Sequence, residues 1–255
     1  RAGIDFPINI PRVQATILEK YRTAESAAHP KLPANGKKVA VIGAGPAGIA
    51  ATAELSRLGY RITLFESFEK IGGALNLIPD KRLPFEVIAK DWSFIDDPDM
   101  IELRLNTPVN NPAALLEQDF DGVIVATGEP EGINLGIDGE EHAVSYLDYL
   151  RHPEHYAARG NIAVIGGGAV ATDCALTAVN NGAENVEMFV RRRVSDMRVT
   201  GEERKSLLDA GVDLTTMTKI KKIGADGDYL TLYTAKNRFN RGKLEEIPDT
   251  TIARP

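Results

Sequence analysis

Ten residues constrain this chain more than any others: Val39-Ala40-Val41-Ile42-Gly43-Ala44-Gly45-Pro46-Ala47-Gly48. The apolar run Val39 to Ile42 reads as a buried parallel strand. It runs into G-x-G-x-x-G, carried by Gly43, Gly45 and Gly48, at the point where a helix should begin. At such a junction the first glycine permits the tight turn. The second lets a phosphate approach the backbone, and the third lets the helix pack on the strand. A pyrophosphate placed there meets free N–H groups and the positive end of a helix dipole. A second apolar strand, Ile62-Thr63-Leu64-Phe65, ends in Glu66 about 20 residues on, where a carboxylate can accept both ribose hydroxyls. Without the glycine motif upstream, Glu66 would read as a solvated strand-end acid. Strand, turn, helix, second strand and acid together predict a dinucleotide site.

The device recurs. Asn161-Ile162-Ala163-Val164-Ile165-Gly166-Gly167-Gly168-Ala169-Val170-Ala171 repeats strand, glycine turn and helix start. Its second strand, residues 186–190, ends in Arg191-Arg192-Arg193 rather than in an acid. The alternative for these arginines is a solvated basic edge or an ion-pair role. Two nucleotide folds, one acid-ended and one arginine-ended, suggest two different nucleotides.

With 255 residues the chain has room for two cores. A net charge of −6 argues against a nucleic-acid binder and leaves the arginines a local basic cluster, better suited to a small phosphate than to a polymer. No apolar run approaches the length of a bilayer span, and no signal-peptide pattern opens the sequence. The single cysteine, Cys174, excludes an internal disulfide and a CxxC redox pair, and reads as a buried structural thiol. A cytoplasmic location is the expectation.

Three segments follow along the chain. Residues 1–36 read as an amino-terminal helical segment and linker, with a helix over 13–25 bearing Val13, Ile17 and Tyr21 on one face. Residues 37–158 read as the first nucleotide domain with a crossing segment, and 159–255 as the second. Helices are expected over 85–94, 111–118, 143–151 and 201–210. A strand is expected over 100–105, and a buried strand within 120–128 that ends in Ala126-Thr127-Gly128. Residues 212–216, 220–223 and 229–233 read as strands of a small antiparallel element, and the chain stops with no obvious closing strand. His142, His152 and His155 show no spacing with carboxylates or cysteines that suggests a metal, and are read as surface residues.

These motifs together resemble the glutamate synthase small-subunit family. That family includes the flavin and NADPH domains of dihydropyrimidine dehydrogenase and related NADPH:ferredoxin-type flavoproteins. The likeness rests on Val41 to Gly48, Glu66 with Ile71-Gly72-Gly73, Ile78-Pro79-x-x-Arg82-Leu83-Pro84, Ala126-Thr127-Gly128 and Gly166-Gly167-Gly168 with Asp173-Cys174. The resemblance implies an α/β fold of two Rossmann-like domains in a glutathione-reductase-like arrangement, with the carboxyl-terminal part of the flavin domain missing. It implies FAD on the first unit, held by Gly43, Gly45, Pro46, Ala47, Gly48 and Glu66. Gly73 would lie along the flavin, Arg82 would help hold it, Val109 would lie near the adenine, and Thr127 and Gly128 would lie close by. It implies NADPH on the second unit, with Gly166, Gly167, Gly168, Ala169 and Val170 at the pyrophosphate. Arg191 and Arg198 would take the 2′-phosphate, with Arg192 beside them, since a guanidinium binds such a group bidentately and an acid would repel it.

Three departures qualify the likeness. Ala169 stands where the family usually has Asp or Asn, a cysteine-rich iron–sulfur segment is absent, and so is the return that completes the flavin domain. The expectation is therefore a fragment of a longer polypeptide. Its function would be that of an FAD-dependent oxidoreductase module that takes hydride from NADPH and passes electrons to an iron–sulfur domain or subunit. The cofactors carry that chemistry, so no catalytic side chain and no metal ligand are expected. The competing readings are a non-catalytic nucleotide-binding scaffold and a self-contained flavin reductase.

Overall fold

The apolar run at Val39 becomes an inner strand because both of its faces are covered. In the computed structural model, which describes residues 8–21, 31–129, 131–156, 160–227 and 229–254, β1 (Lys38–Ile42) pairs with β2 (Arg61–Phe65) on one side. Its other neighbour is β4 (Gly122–Val125), and β3 (Ile101–Arg104) lies beyond β2. All pairings are parallel and the order is β3-β2-β1-β4. Val39 to Ile42 and Ile62 to Phe65 are buried, which is why neither strand shows the alternation of a half-exposed sheet. The crossover helix α2 (Pro46–Arg57) buries Gly48, Thr52 and Ser56, small residues four apart on one face, so it lies close on the strands. On the other helix of this region, α3 (Phe85–Ser93), Ile88 and Trp92 form the buried pair. A second packing centre joins Ala40, Ile42, Phe65, Leu115 and Phe120, with the Phe65 and Phe120 rings edge-on at 6.2 Å.

This part of the chain, the described residues of Arg1–Leu75 with Pro84–Gly128, forms one compact unit. It includes α1 (Ile10–Tyr21), which starts three residues earlier than its periodicity suggests. The Asn9 side chain accepts the Arg12 amide there at 3.1 Å, a cap that sets the boundary. Residues 22–25 of the expected helix lie outside the described residues. Ile10, Val13 and Ile17 are all at least half exposed.

Asn76–Leu83 and the described residues of Glu129–Pro255 form a second unit. Its parallel sheet is β5 (Asn161–Ile165), β6 (Asn185–Val190) and β7 (Asp213–Thr216), in that order. The helix α5 (Ala169–Asn180) crosses between β5 and β6, and Ala175, Ala178, Val186, Met188, Val190, Met197, Leu207 and Val212 make the core. Two shorter helices complete it: α4 (Tyr146–Arg151), capped by Ser145, and α6 (Gly201–Asp209). At the start of α6 the Thr200 hydroxyl accepts from the Glu203 amide while the Glu203 carboxylate accepts from the Thr200 amide. That reciprocal cap is written in the sequence as T-x-x-E. An antiparallel layer follows, with the long strand β9 (Tyr229–Asn240) paired to β8 (Thr218–Asp226), β10 (Lys243–Glu246) and β11 (Ile252–Arg254).

Three expectations are corrected. The strand at 120–128 is not fully buried. Phe120 is buried, but β4 has β1 as its one partner in the sheet and Val125 is 58% exposed. Of residues 212–216, Asp213 to Thr216 belong to the parallel sheet as β7, beside β6, and not to the antiparallel layer. Their short length carries no periodicity that separates the two cases. Finally, the chain does have a late strand: Ile252, Ala253 and Arg254 pair with Thr234, Tyr233 and Leu232. Three residues are too few to announce a strand before a partner is known.

Candidate nucleotide-binding sites

In the first unit the three glycines of the turn meet different constraints. Gly43 has φ +100°, and a Cβ there would lie 2.5 Å from the Ala126 carbonyl oxygen. A Cβ on Gly48 would fall 1.8 Å from the Gly43 carbonyl oxygen. Gly45 differs: a Cβ there would meet its nearest neighbour, the Gly73 Cα, at 3.8 Å, an ordinary contact. The first and third glycines are thus required by the fold, while the second leaves open backbone. Gly45 is also the N-cap of α2, Pro46 is its first residue, and Ala47 is exposed beside it. The opening amides of a helix have no intrahelical acceptors and favour an anion. Gly73, φ +52°, brings its backbone against Gly45, and the Gly72 amide donates to the Ala44 carbonyl at 2.8 Å. The glycine loop at 72–73 therefore braces the phosphate turn.

Glu66 ends β2 as expected, but it is 5% exposed and not a solvated acid. Its carboxylate accepts from the Ala44 amide at 2.8 Å, the Phe68 amide at 3.0 Å and the Ser67 hydroxyl at 3.1 Å. These three donors fix the carboxylate at the turn, and two oxygens offer about four lone-pair sites, so acceptor capacity remains. Val109 is half-buried against the Phe65–Phe120 cluster. Thr127 and Gly128 follow β4, where Ala126 donates its amide to the Ile42 carbonyl and its own carbonyl faces Gly43.

Arg82 stands apart from this set. It lies in the second unit, where its Nη1 is 2.6 Å from Asp173 Oδ1 on α5 and 3.2 Å from Glu203 Oε1 on α6. Asp173 is 4% exposed, and burial raises its pKa above the ordinary aspartate value. The Arg82 charge pulls it back down, and Glu203 pushes it up. Asp173, part of the motif that runs from Gly166-Gly167-Gly168 to Asp173-Cys174, holds an arginine 91 residues away, a contact with no local sequence signal.

The second unit repeats the turn with looser constraints. Gly166 has φ +150°, and a Cβ on Gly167 would strike Val190 Cγ1 at 2.6 Å, whereas one on Gly168 would meet nothing within 4 Å. Gly168 caps α5, Ala169 opens it, and Val170 is 44% exposed. The Arg198 amide donates to the Gly167 carbonyl at 3.1 Å, tying the loop after β6 to the phosphate turn. Arg191, Arg193 and Arg198 are exposed and Arg192 is half-buried. Among the described residues, no carboxylate lies within ion-pair distance of Arg191, Arg192 or Arg198. Unpaired guanidiniums are side chains suited to binding a dianion bidentately.

Two remaining groups resolve simply. Burial, then the neighbouring Asp173 charge, pushes the Cys174 thiol up to about 12, so it stays protonated and acts as a small apolar residue, as expected. His142, His152 and His155 are all well exposed. What the spacing did not reveal is that His152, Glu154 and His155 place three donor atoms within 4.8 Å of one another, with the two imidazoles stacked.

The sequence profile described as pyridine nucleotide-disulphide oxidoreductase matches residues 97–244, more than half of the chain. This chain belongs to that family. A second profile, an NAD(P)-binding Rossmann-like domain, matches residues 41–93 and includes the first glycine turn. Among curated relatives, the NADP(+)-dependent formate dehydrogenase subunit beta of Moorella thermoacetica is 35% identical over 70% of this chain and 27% of its own length. The glutamate synthase [NADPH] small chain of Bacillus subtilis is 31% identical over 72% of this chain and 41% of its own. This chain thus spans from about a quarter to less than half of those two relatives. In fold, it is similar to Mycobacterium tuberculosis FprA solved with NADPH, at a TM-score of 0.70 and 17% identity, covering 88% of this chain and 67% of that one. The expected fold of two Rossmann-like units and the expected family likeness both hold. No helix among the described residues is long and apolar enough to cross a membrane.

Proposed function

We propose that this chain is the nucleotide-binding part of an NADPH-dependent flavoprotein oxidoreductase whose electrons pass to an iron–sulfur domain or subunit, in the cytoplasm. Residues 37–158 hold FAD and 159–255 hold NADPH, with 1–36 as an amino-terminal extension. One observation carries the reading: the two glycine turns end in opposite charge. The first closes on a buried acid fixed by three donors, suited to ribose hydroxyls. The second closes on Arg191, Arg192 and Arg198, which have no ion-pair partner among the described residues and suit a 2′-phosphate. The relatives support the choice, since they include a glutamate synthase [NADPH] small chain and an NADPH-Fe(3+) oxidoreductase subunit beta.

The residues present fit a flavin dinucleotide. Gly45 and Gly73 bring two side-chain-free backbones together with open space at Gly45, and beyond Pro46, which has no N–H, the Ala47 and Gly48 amides open the helix. When bound, FAD supplies the capacity to accept hydride and release single electrons. The protein's part is to hold and orient. Glu66 fixes the adenosine ribose, and the α2 amides neutralise phosphate charge without a cation. On the second unit the α5 amides and the arginines perform the same task for NADPH. Arg82, expected at the flavin, serves α5 and α6 through Asp173 and Glu203 in this structure, and we assign it to positioning the second unit as well.

An anaerobic titration of the FAD-reconstituted chain with NADPH, following flavin absorption, tests the proposal. Bleaching is the expected result. Persistent colour with flavin demonstrably bound would overturn it in favour of a non-catalytic scaffold.

A further inference from the structure

Two imidazoles and a carboxylate come together between α4 and β5, in a segment that neither glycine turn uses. The backbone gives them a shared side. Pro153 to His155 form a single 3₁₀ turn with His152 as its N-cap, and the His155 amide donates to the His152 carbonyl at 3.0 Å. In this helix type residues three apart eclipse one another, and proline fixes φ at the first position. His152 and His155 therefore emerge together, their rings stacked with centroids 4.8 Å apart. Glu154 reaches the same place: its Oε1 lies 3.6 Å from His152 Nδ1 and 3.7 Å from His155 Nε2. The turn is anchored behind. The Tyr156 hydroxyl donates to Asp148 on α4, and the Tyr156 ring lies 5.8 Å from that of Tyr149, which packs against the core of the second unit.

We propose that His152, Glu154 and His155 bind a divalent transition-metal ion, zinc foremost, with water completing its coordination. The inference departs from the expectation of no metal ligand and is independent of the nucleotide assignments. At 3.6 and 3.7 Å neither contact of Glu154 is a direct hydrogen bond. Bonds of about 2.0–2.1 Å at tetrahedral angles place two zinc ligands about 3.3–3.4 Å apart. The carboxylate thus stands within a few tenths of an ångström of that spacing from both nitrogens, and the three donor atoms all lie within 4.8 Å of one another. Two imidazoles with one carboxylate select zinc, copper or nickel over magnesium and calcium, which take oxygen ligands. The rings lie within 13° of parallel, so their lone pairs converge only when one ring turns out of the stack. The His152 and His155 side chains are 45% and 65% exposed, and that rotation takes place in solvent. An ion held by three of four consecutive residues staples the turn that leads from α4 towards β5.

The experiment is a calorimetric titration of the full chain with zinc chloride, the chain carrying no histidine tag and no nucleotide. One ion per chain should bind at micromolar concentration and raise the unfolding temperature. His152→Gln, Glu154→Gln and His155→Gln should each weaken binding by about tenfold or more. Each should melt like the parent without zinc, since the exchanged side chains are exposed. His142→Gln, outside the trio, should bind as the parent does, and magnesium should not compete. Zinc binding that stays within about twofold of the parent in all three variants would overturn the inference and place the ion elsewhere. An unaltered chain that binds no zinc would overturn it as well, leaving the cluster as contacts among exposed side chains.

Discussion

Replacing Gly48 by alanine separates what the fold needs from what a ligand needs. In a helix, glycine to alanine ordinarily stabilises by about 1 kcal/mol. At Gly48 the added Cβ would stand 1.8 Å from the Gly43 carbonyl oxygen and 3.0 Å from its carbon. Both atoms are backbone, and Gly43 is itself held by the hydrogen bond its N–H donates to the Phe65 carbonyl at 2.7 Å. The carbonyl would have to retreat by more than an ångström, moving α2 off the sheet. Overpacking of this kind costs about 1–3 kcal/mol or more and outweighs the propensity gain. A net loss of about 2 kcal/mol corresponds to a fall of roughly 4–8 °C in Tm for a chain of this size. Gly45→Ala is the matched control, because its Cβ makes one ordinary contact at 3.8 Å. It should melt like the parent yet lose flavin, since the methyl occupies the space a phosphate needs. Thermal unfolding without flavin, paired with flavin absorbance after reconstitution and gel filtration, reads both effects. A Gly48→Ala chain as stable as the parent would refute the packing argument, and full flavin retention in Gly45→Ala would refute the pyrophosphate assignment.

Two further outcomes follow from charge. Arg191→Ala with Arg198→Ala should weaken NADPH about 10- to 100-fold, the loss of one or two charge-assisted bonds, and leave NADH unchanged. Equal losses for both nucleotides in a binding titration would exclude 2′-phosphate recognition. Asp173 gives a pH signature: burial raises its folded pKa above the unfolded value, so the folded chain binds more protons. Its stabilising contribution is complete below the ordinary aspartate range and is lost as pH rises through the raised value. Asp173→Asn should therefore flatten the acid side of a stability–pH profile measured by denaturant unfolding; an unchanged slope would show that Arg82 compensates the buried charge fully.

Much of this was legible because it is local. The glycine turns at Gly43 and Gly166, the acid at Glu66 and the arginines after β6 are set by residue type and spacing within about 30 residues of chain, and the strand–turn–helix geometry follows from them. The T-x-x-E cap at Thr200 and the turn at Arg241-Gly242 are equally local, set by residue type within four positions. The strands at 213–216 and 252–254 belong to another category. Their sheet membership depends on β6 and β9, partners outside their own sequence, and a strand of three or four residues carries no period of its own.

The sequence by itself determined two Rossmann-type units and the sign of the charge closing each, because backbone sterics at glycine and the order of residues along a strand act within one supersecondary motif. Only the tertiary structure decided how those charges are used. It buried Glu66 under three donors, tied Arg82 to Asp173 and Glu203, and set the Arg193 guanidinium over the Phe239 ring. The physical reason is that desolvation and long-range pairing depend on which distant segments come to lie alongside a residue. Asp173 meets Arg82 across 91 positions, and Arg193 meets a hairpin more than 40 residues away, so neither contact has a local signature.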